Sequence, residues 1–308
     1  MTSRTGERLM LLDSASMYFR SFFGVPDTVV AADGTIVNAV KGFLDAIAFL
    51  VSARRPTHLV AAMDADWRPA WRVELVPSYK AHRVAPEGGE EVPDALSPQV
   101  PIIEAALDAL GICRIGMPDA EADDVIGTLA TTAAMPVEIV TGDRDLFQLV
   151  DDARDVAIVY IAKGFGNAER IDEAAITAKY DIPGRAYADF ATMRGDTSDG
   201  LPGVPGVGEK TAAGLLRTFG DLDGILAAAA RSDEGFPRGC HAKLLAAIDD
   251  IPAMRRVVAV AKDLPIDPID PRIPAAVPDP DALDAFAERW GLHNSVARVL
   301  DAFASVHA

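Results

Sequence analysis

The chain has 308 residues, which is enough for one large domain or two smaller ones with a hydrophobic core. Its two cysteines exclude a disulfide framework and a four-cysteine zinc site, and they favour a reducing, cytoplasmic compartment. The net charge of −17 argues against an ordinary basic nucleic-acid binder, unless some of the acids bind cations. The most apolar stretch, from Val40, contains Lys41 and Asp45 and therefore predicts no membrane span.

Three apolar segments that favour β structure each end in aspartate. They are RLMLLD, ending at Asp13, HLVAAMD, ending at Asp64, and VEIVTGDRD, ending at Asp143 and Asp145. Helical spacing between these segments predicts a parallel sheet with helices on both faces. Ligands of such sheets bind beyond the carboxyl ends of the strands. We therefore expect the four aspartates to meet at one edge of the sheet.

The segment PDAEADDVIGTLATTA predicts a helix with an acidic first turn and Asp119 as its N-cap. Glu121 and Asp124 are three residues apart and share a helix face, and Asp123 lies beside them. The helix dipole alone favours acids at this position, so the cluster also has a purely structural interpretation.

A local excess of basic residues follows Asp64. The segment RPAWRVELVPSYKAHR contains one acid, Glu74, and four strong cations, Arg68, Arg72, Lys80 and Arg83. A solvated helix face would explain such a run. Fixed cations beside carboxylates are, however, also what the cleavage of a phosphodiester requires. The next segment, residues 84–98, is rich in proline and glycine without any period, and it predicts a flexible insertion.

Beyond residue 182 the periodicity is entirely helical. The spacing predicts helices over 185–193, 210–219, 222–230, 242–248 and 253–261. A proline-rich connector then leads to one last amphipathic helix over 283–304.

A glycine-rich loop, GVPGVGEKT, precedes the second of these helices. It does not fit a phosphate loop, because Glu209 separates Gly208 from Lys210 and no apolar strand precedes it. It does not fit a dinucleotide loop either, because Thr211 replaces the third glycine. An ATPase or a dehydrogenase is therefore a poor interpretation.

What remains is a tight turn between two helices, in which Gly203, Gly206 and Gly208 permit close backbone approach. The N–H groups of a helix that opens at Glu209 form an anion site, which would hold duplex phosphates without reading bases. An ordinary turn between helices is the alternative.

Nine acids end predicted strands, open the predicted acidic helix or precede the glycine loop: Asp13, Asp64, Glu121, Asp123, Asp124, Asp143, Asp145, Asp196 and Asp199. Carboxylates that crowd together repel one another unless protons or cations compensate them. Oxygen ligands select hard divalent cations such as Mg²⁺ or Mn²⁺. Two such ions are the common machinery of phosphodiester hydrolysis. The acids therefore predict a metal-dependent phosphodiesterase.

The motifs resemble the 5′ nuclease family, which comprises flap endonucleases and the 5′→3′ exonuclease domain of bacterial DNA polymerase I. In chain order they are LLDSAS, NAVKGF, MDADWRPAWR, SYKAHR, AEADDVIGTLA, TGDRDLFQLV and GDTSDGLPGVPGVGEKTA. The resemblance covers almost the whole chain. It implies a free-standing bacterial 5′→3′ exonuclease and flap endonuclease of DNA replication and repair.

The resemblance also implies an architecture. A PIN-like α/β core with a mostly parallel sheet flanked by helices is expected over residues 1–182, including a flexible arch at about 76–99. A helical DNA-binding subdomain with a helix-three-turn-helix clamp is expected over 183–262, and the connector with its C-terminal helix over 263–308.

Roles follow residue by residue from the resemblance. Asp13, Asp64, Glu121 and Asp123 match ligands of a first ion, Asp124 an adjoining acid, and Asp143, Asp145, Asp196 and Asp199 the ligands nearer a second. Lys80 and Arg83 match the pair that acts on the scissile phosphate, and Arg72 a further phosphate contact. The expected DNA contacts are Phe19, Arg20, Arg68, Tyr79, Gly203, Gly206, Gly208, Lys210 and Thr211. The implied cofactors are two or three Mg²⁺ or Mn²⁺ ions, with K⁺ at the glycine loop.

Three residues depart from the family pattern: Phe19 replaces a tyrosine, Lys41 an aromatic residue and Gly200 an asparagine. The expected partners are DNA with 5′ flaps, nicks or free 5′ ends, alongside DNA polymerase and ligase, for a protein that is a monomer. The alternative function is a binder of branched DNA that does not cleave it. A phosphatase built on DADW or DRD is disfavoured, because no apolar strand leads to a DxD nucleophile with its usual partners.

Overall fold

A computed structural model describes residues 6–86 and 88–308. Its centre is a six-stranded sheet of β1 (Leu9–Asp13), β2 (His58–Ala62), β5 (Cys113–Ile115), β6 (Val137–Thr141), β7 (Val156–Tyr160) and β8 (Glu169–Ile171). Two further strands, β3 (Val84–Ala85) and β4 (Gly89–Glu90), form a separate short antiparallel ladder. The strand order of the large sheet is β5-β2-β1-β6-β7-β8. Only the edge strand β8 runs antiparallel to its neighbour, which confirms the mostly parallel sheet.

The helices of the first half of the chain connect and cover these strands: α1 (Ser14–Gly24), α2 (Asn38–Arg54), α3 (Ala70–Leu75), α4 (Val100–Leu110), α5 (Ala122–Thr132) and α6 (Glu173–Tyr180). Alternate residues of a strand point to opposite faces of its sheet. Met10 and Leu12 accordingly lie in one buried cluster with α2 and α4, whereas Leu9 and Leu11 lie in the other with α5. The sheet therefore has a hydrophobic core on each face.

The second half is helical: α7 (Tyr187–Arg194), α8 (Glu209–Phe219), α9 (Leu222–Arg231), α10 (Cys240–Ala246), α11 (Ile251–Val258), α12 (Pro280–Trp290) and α13 (His293–His307). Helices α7 to α11 share the hydrophobic core of α5. The connector leads back across the sheet, so that α12 and α13 pack with α2 and α4 on the opposite face. In the part of the chain that the structure describes, no helix is both long and apolar enough to cross a membrane.

The single last helix expected over 283–304 is wrong. Gly291 adopts a left-handed conformation with φ of 66°, which ends α12 by a C-cap to the carbonyls of Ala287 and Glu288. The side chain of Leu292 is buried between the two helices that result. A helical period that continues across a turn cannot reveal this break.

The insertion over 84–98 has defined local structure. Besides the β3/β4 ladder, its C-terminal end is fixed by Gln99, a fully buried residue. The Gln99 carboxamide accepts from the N–H of Ala39 at 2.8 Å and donates to Asn38 Oδ1 at 2.9 Å, which ties the end of the segment to the start of α2. The flexibility of this segment stays a prediction.

Candidate active site

A cavity of about 400 Å³ opens beyond the carboxyl ends of β1 and β6. Six of the nine predicted acids are in its walls: Asp13, Asp64, Glu121, Asp123, Asp143 and Asp196. They come from five separate parts of the chain, and the parallel sheet brings the acids at its strand endings together as predicted. Asp145 and Asp199 lie close enough to interact electrostatically with Asp143.

Four of these acids have few or no cationic partners, and we call Asp13, Asp123, Asp143 and Asp145 the open cluster. Burial, reinforced by the charges of Asp64 and Asp143, raises the pKa of Asp13 to about 7 despite hydrogen bonds from Thr141 and Ser16. Burial and the charges of Asp13 and Asp143 raise the pKa of Asp123 well above its usual value. Asp145 Oδ1 is buried without a hydrogen-bond partner among the described residues. The open cluster therefore gathers carboxyl groups whose ionised forms have no ion-pair partner among the described residues, so they favour a bound proton or cation.

The other acids of helix α5 belong to what we call the closed cluster, Glu121 and Asp124 with Arg72, Tyr79 and Lys80. Asp124 accepts from Arg72 through both carboxylate oxygens, at 2.8 and 2.9 Å, and also from the N–H groups of Glu121 and Ala261. Its side chain is almost fully buried and outside the cavity walls. The interpretation of Asp124 as a metal ligand is therefore corrected, because its lone pairs are already used.

The predictions for Arg72 and Tyr79 are also corrected, because both side chains are buried and already bonded to acids. Arg72 is only 3% exposed and pairs with Glu121 as well as Asp124, so it is a buried structural cation and not a phosphate contact. Tyr79 is 4% exposed and donates its hydroxyl to Glu121 Oε1 at 2.7 Å, so it cannot stack on DNA. The sequence places both residues beside the site but cannot show that they face inward.

The acidic helix also begins at a different residue from the one expected. Asp119 has a left-handed φ of 55°, and its carbonyl accepts from the Trp71 indole N–H, so it is not the N-cap. The N-cap is Glu121, which forms a reciprocal capping box with Asp124. Asp64 Oδ1 accepts from the N–H of Ala122 at 2.7 Å and so joins the end of β2 to this helix start.

Lys80 and Arg83 line the cavity and bind its acids. Lys80 Nζ lies 2.5 Å from Glu121 Oε2, and Arg83 Nη2 lies 2.7 Å from Asp199 Oδ1. The backbone of this segment is tied to the same turn, because the N–H of Lys80 donates to the carbonyl of Asp199 at 2.8 Å. The two cations and the turn that carries Asp199 are thus held as one unit.

A steric constraint explains why position 200 is a glycine. Gly200 has φ of 69°, and a Cβ there would lie 2.1 Å from the carbonyl oxygen of Ser78. The departure from asparagine at this position therefore coincides with a backbone contact that no side chain permits.

Sequence reasoning missed several residues that shape the cavity. Thr141 is fully buried, donates to Asp13 Oδ2 at 2.6 Å and accepts from the N–H of Asp143 at 2.8 Å. Ser16 accepts from the N–H of Gly142 at 2.7 Å. Other missed wall residues are Trp67, Glu90, Arg144 and Tyr160. Position gave a signal for two of them, since Ser16 lies three residues after Asp13 and Arg144 separates Asp143 from Asp145.

The predicted DNA contacts outside the closed cluster differ in accessibility. Phe19 lines the cavity. Arg20 donates to the carbonyl of Ala162 at 2.7 Å, and Arg68 to that of Tyr79 at 2.6 Å, so both are held by the backbone. Lys210 is exposed, and Thr211 partly exposed, on the first turn of α8.

The glycine loop joins α7 and α8. Gly203 has φ of 63°, and a Cβ there would lie 2.4 Å from the backbone nitrogen of Gly195, so close packing requires glycine. Gly206 also has a positive φ, and its carbonyl accepts from Lys243 Nζ at 3.2 Å. Gly208 is the N-cap of α8 and offers no side chain to cap the first N–H groups of that helix.

The donor chemistry of the cavity fits a hard divalent cation, since its acids offer only oxygen, and the neighbouring Asp145 Oδ1 has no hydrogen-bond partner among the described residues. No group of three or more His, Cys, Asp or Glu side chains within 6–86 and 88–308 forms a ready-made metal site. Part of the reason lies in the hydrogen bonds, because Glu121 is turned to Lys80 and Tyr79. Ion binding at these residues would therefore require side-chain rotation.

Comparison with known proteins extends over nearly the whole chain. The family model for the 5′-3′ exonuclease N-terminal resolvase-like domain matches residues 8–181, and that for the 5′-3′ exonuclease C-terminal SAM fold matches residues 182–279. A 5′-3′ exonuclease of Streptomyces coelicolor is 57% identical over 296 residues, covering 94% of this chain and 98% of the relative. DNA polymerase I of Mycobacterium bovis is 42% identical over 227 residues, covering 72% of this chain and 24% of that protein.

Among solved structures, the bacteriophage T5 flap endonuclease in a pseudo-enzyme-product complex with DNA and metal ions has a similar fold. Its TM-score is 0.63 at 16% identity, and the alignment covers 97% of this chain and 99% of that one. The α/β core, the helical C-terminal region and the two matched domain models agree with one another. The chain thus belongs to the 5′-3′ exonuclease family.

Proposed function

We propose that this family member hydrolyses DNA phosphodiester bonds both at free 5′ ends and at 5′ flaps, using two or three Mg²⁺ or Mn²⁺ ions. The observation that carries the proposal is the cavity itself, in which six acids face Lys80 and Arg83 at one edge of the sheet. This arrangement combines oxygen ligands for the ions with fixed cations for a phosphate.

Asp13, Asp64, Glu121 and Asp123 would hold a first ion, and Asp143, Asp145, Asp196 and Asp199 would lie nearer a second. Bound ions supply a hydroxide from water at neutral pH and stabilise the negative charge of the reacting phosphate. Thr141 keeps the Asp13 carboxylate in place for this task through its hydroxyl.

Lys80 and Arg83 would bind the scissile phosphate. Each now pairs with a carboxylate, Glu121 or Asp199, that also belongs to the proposed ion sites. With ions bound, Glu121 and Asp199 would serve as their ligands, and the N–H donors of Lys80 and Arg83 would be available to phosphate oxygens. The ion pairs therefore keep both cations at the site before substrate arrives.

We further propose that the glycine loop, with Lys210 and Thr211, binds phosphates of the duplex. Its support is the uncapped start of α8 and the exposed position of Lys210. The family motif adds K⁺ at this loop. The family resemblance also supports domain divisions at residues 182 and 262 and a monomeric state. The same resemblance supports a cytoplasmic location and work alongside DNA polymerase and ligase.

The test uses a double-flap DNA labelled at the 5′ end of its flap, incubated with Mg²⁺, Mn²⁺ or EDTA. A released flap of near-uniform length, absent in EDTA, supports structure-specific endonuclease action, and short labelled products support attack from the end. A substrate that is bound but uncut under every metal condition would overturn the proposal in favour of the non-cleaving binder. Asp64→Ala and Asp143→Ala should abolish cleavage while retaining flap binding.

A further inference from the structure

Arg144 is a cation of the cavity that the proposed mechanism does not use. It stands between Asp143 and Asp145 in the sequence, directly after β6, and its side chain is exposed in the cavity wall. Lys80 also bonds the carbonyl of Trp67, beyond β2, at 3.2 Å. In the sheet, β1 lies between β2 and β6. Lys80 is near the end of β2 and Arg144 follows β6, so the two cations lie on different sides of the acids.

Arg144 differs from the other two basic residues of the cavity walls in its partners. Lys80 and Arg83 are each paired with a carboxylate at 2.5 and 2.7 Å. Among the described residues, Arg144 forms no ion pair, although two aspartates flank it in the sequence. Its guanidinium instead lies close enough to the hydroxyls of Tyr160, Tyr180 and Tyr187 to interact with them electrostatically.

The tyrosines cannot neutralise this charge. The hydroxyls of Tyr180 and Tyr187 are buried, and neither forms a well-aligned hydrogen bond among the described residues. The Tyr180 hydroxyl can accept from the guanidinium but engages only one of its five N–H groups, so donors stay available to a ligand. A guanidinium with free N–H groups is the side chain best suited to grip a phosphate through two parallel hydrogen bonds.

We propose that Arg144 binds a phosphate of the cleaved strand next to the scissile one, on the β7 side of the cavity. Lys80 and Arg83 then hold the scissile phosphate while Arg144 fixes the direction in which the strand leaves it. The inference rests on the proposed function, since it assumes that DNA lies over the acids.

A competing role is that Arg144 only balances the acids. Burial acts to raise the pKa of Asp196, but hydrogen bonds from Ser198 and the charges of Arg194 and Arg144 lower it. The two roles predict different results. A balancing cation affects metal binding, whereas a phosphate ligand affects the DNA affinity and its salt dependence.

The first experiment compares Arg144→Gln and Arg144→Lys with the wild type in single-turnover cleavage of the flap substrate. We expect Arg144→Gln to raise the half-saturating protein concentration about tenfold. It should also reduce the magnitude of the slope of log affinity against log salt concentration by about one, since one phosphate contact is lost. Arg144→Lys should keep the slope and recover part of the affinity. The control is Arg272→Gln, an exposed arginine paired with Asp270 on a segment that bridges to the amino end of β2.

The second experiment places one neutral methylphosphonate at successive positions around the cleavage site. The wild type should lose affinity at one position beside the scissile phosphate, and Arg144→Gln should be insensitive at that same position. Equal sensitivity of both proteins at every position would overturn the inference. If Arg144→Gln does not fold, as judged by thermal unfolding, the same scan is made with Arg144→Met, which also removes the N–H donors and should likewise be insensitive at that position.

Calorimetric titration with Mn²⁺ in the absence of DNA separates the two roles. We expect similar Mn²⁺ affinity for the wild type and Arg144→Gln. If Arg144→Gln binds Mn²⁺ more tightly than the wild type and its DNA affinity has the same salt dependence, Arg144 serves charge balance alone and the inference is overturned. If the wild type itself neither cuts nor binds flap DNA, the proposed function fails, whereas normal wild-type cleavage with an unaffected Arg144→Gln contradicts only the role of Arg144.

Discussion

Two adjacent residues of α5 show how this protein uses acids in two opposite ways. Asp124 is buried with both oxygens committed to Arg72 and to backbone N–H groups, whereas Asp123 faces the cavity without such partners. A helix rotates neighbouring side chains by about 100°, and this rotation separates a structural carboxylate from one available to cations. The comparison teaches that the number of acids in a motif does not give the number of ligands.

The largest effect should come from the open cluster. We expect Asp143→Asn to reduce cleavage about 10³-fold, because it removes several kcal/mol of metal-dependent stabilisation of the transition state. The thermal unfolding temperature in EDTA should not fall, since the substitution removes charge repulsion. The control is Asp301→Asn on the exposed face of α13. Cleavage within twofold of the wild type would contradict the open cluster as the metal site.

Substitutions in the closed cluster should lower the free energy of unfolding. Asp124→Leu leaves the Arg72 guanidinium buried without its main partner, which we expect to cost about 3–5 kcal/mol of unfolding free energy. Denaturant unfolding measures this loss. The double variant Arg72→Met/Asp124→Leu should recover much of it, because no charge then stays buried alone. Loss of cleavage by a folded Asp124→Leu protein would instead return Asp124 to the metal site.

Thr141 connects the end of β1 to the loop that carries Asp143, and its hydroxyl should matter for metal binding. We expect Thr141→Val to weaken Mn²⁺ affinity about 10–100-fold, as for other residues that orient metal ligands. Thr141→Ser keeps the hydroxyl and should stay near the wild type. Calorimetric titration with Mn²⁺ gives the result, and equal affinities for all three proteins would refute the role of the hydroxyl.

A further effect is a pH dependence of the metal-free protein. The folded-state pKa of Asp13, about 7, exceeds its unfolded value of 3.8, so the folded state binds more protons between these values. The unfolding free energy in EDTA should therefore fall as pH rises from about 4 to about 7, by roughly 1 kcal/mol per pH unit for each such proton. Chemical denaturation at several pH values tests the sign, and Asp13→Asn should flatten the slope.

The sequence predicted the sheet and the meeting of its acids because strand endings are local signals with a topological consequence. Asp13, Asp64 and Asp143 lie where parallel strands require. The partners of Asp124 could not be predicted, since Arg72 and the N–H of Ala261 approach from distant parts of the chain. The break at Gly291 was missed because amphipathic spacing continues through it.

The contact between Gly200 and Ser78 has an evolutionary consequence. A Cβ at position 200 would lie 2.1 Å from the Ser78 carbonyl, and Lys80 and Arg83 bind the same turn. A homologue with a side chain at this position must have moved one of the two segments apart. We therefore expect residue 200 to covary with the residues around Ser78, so that one alignment column reports the spacing between two segments more than a hundred residues apart in sequence.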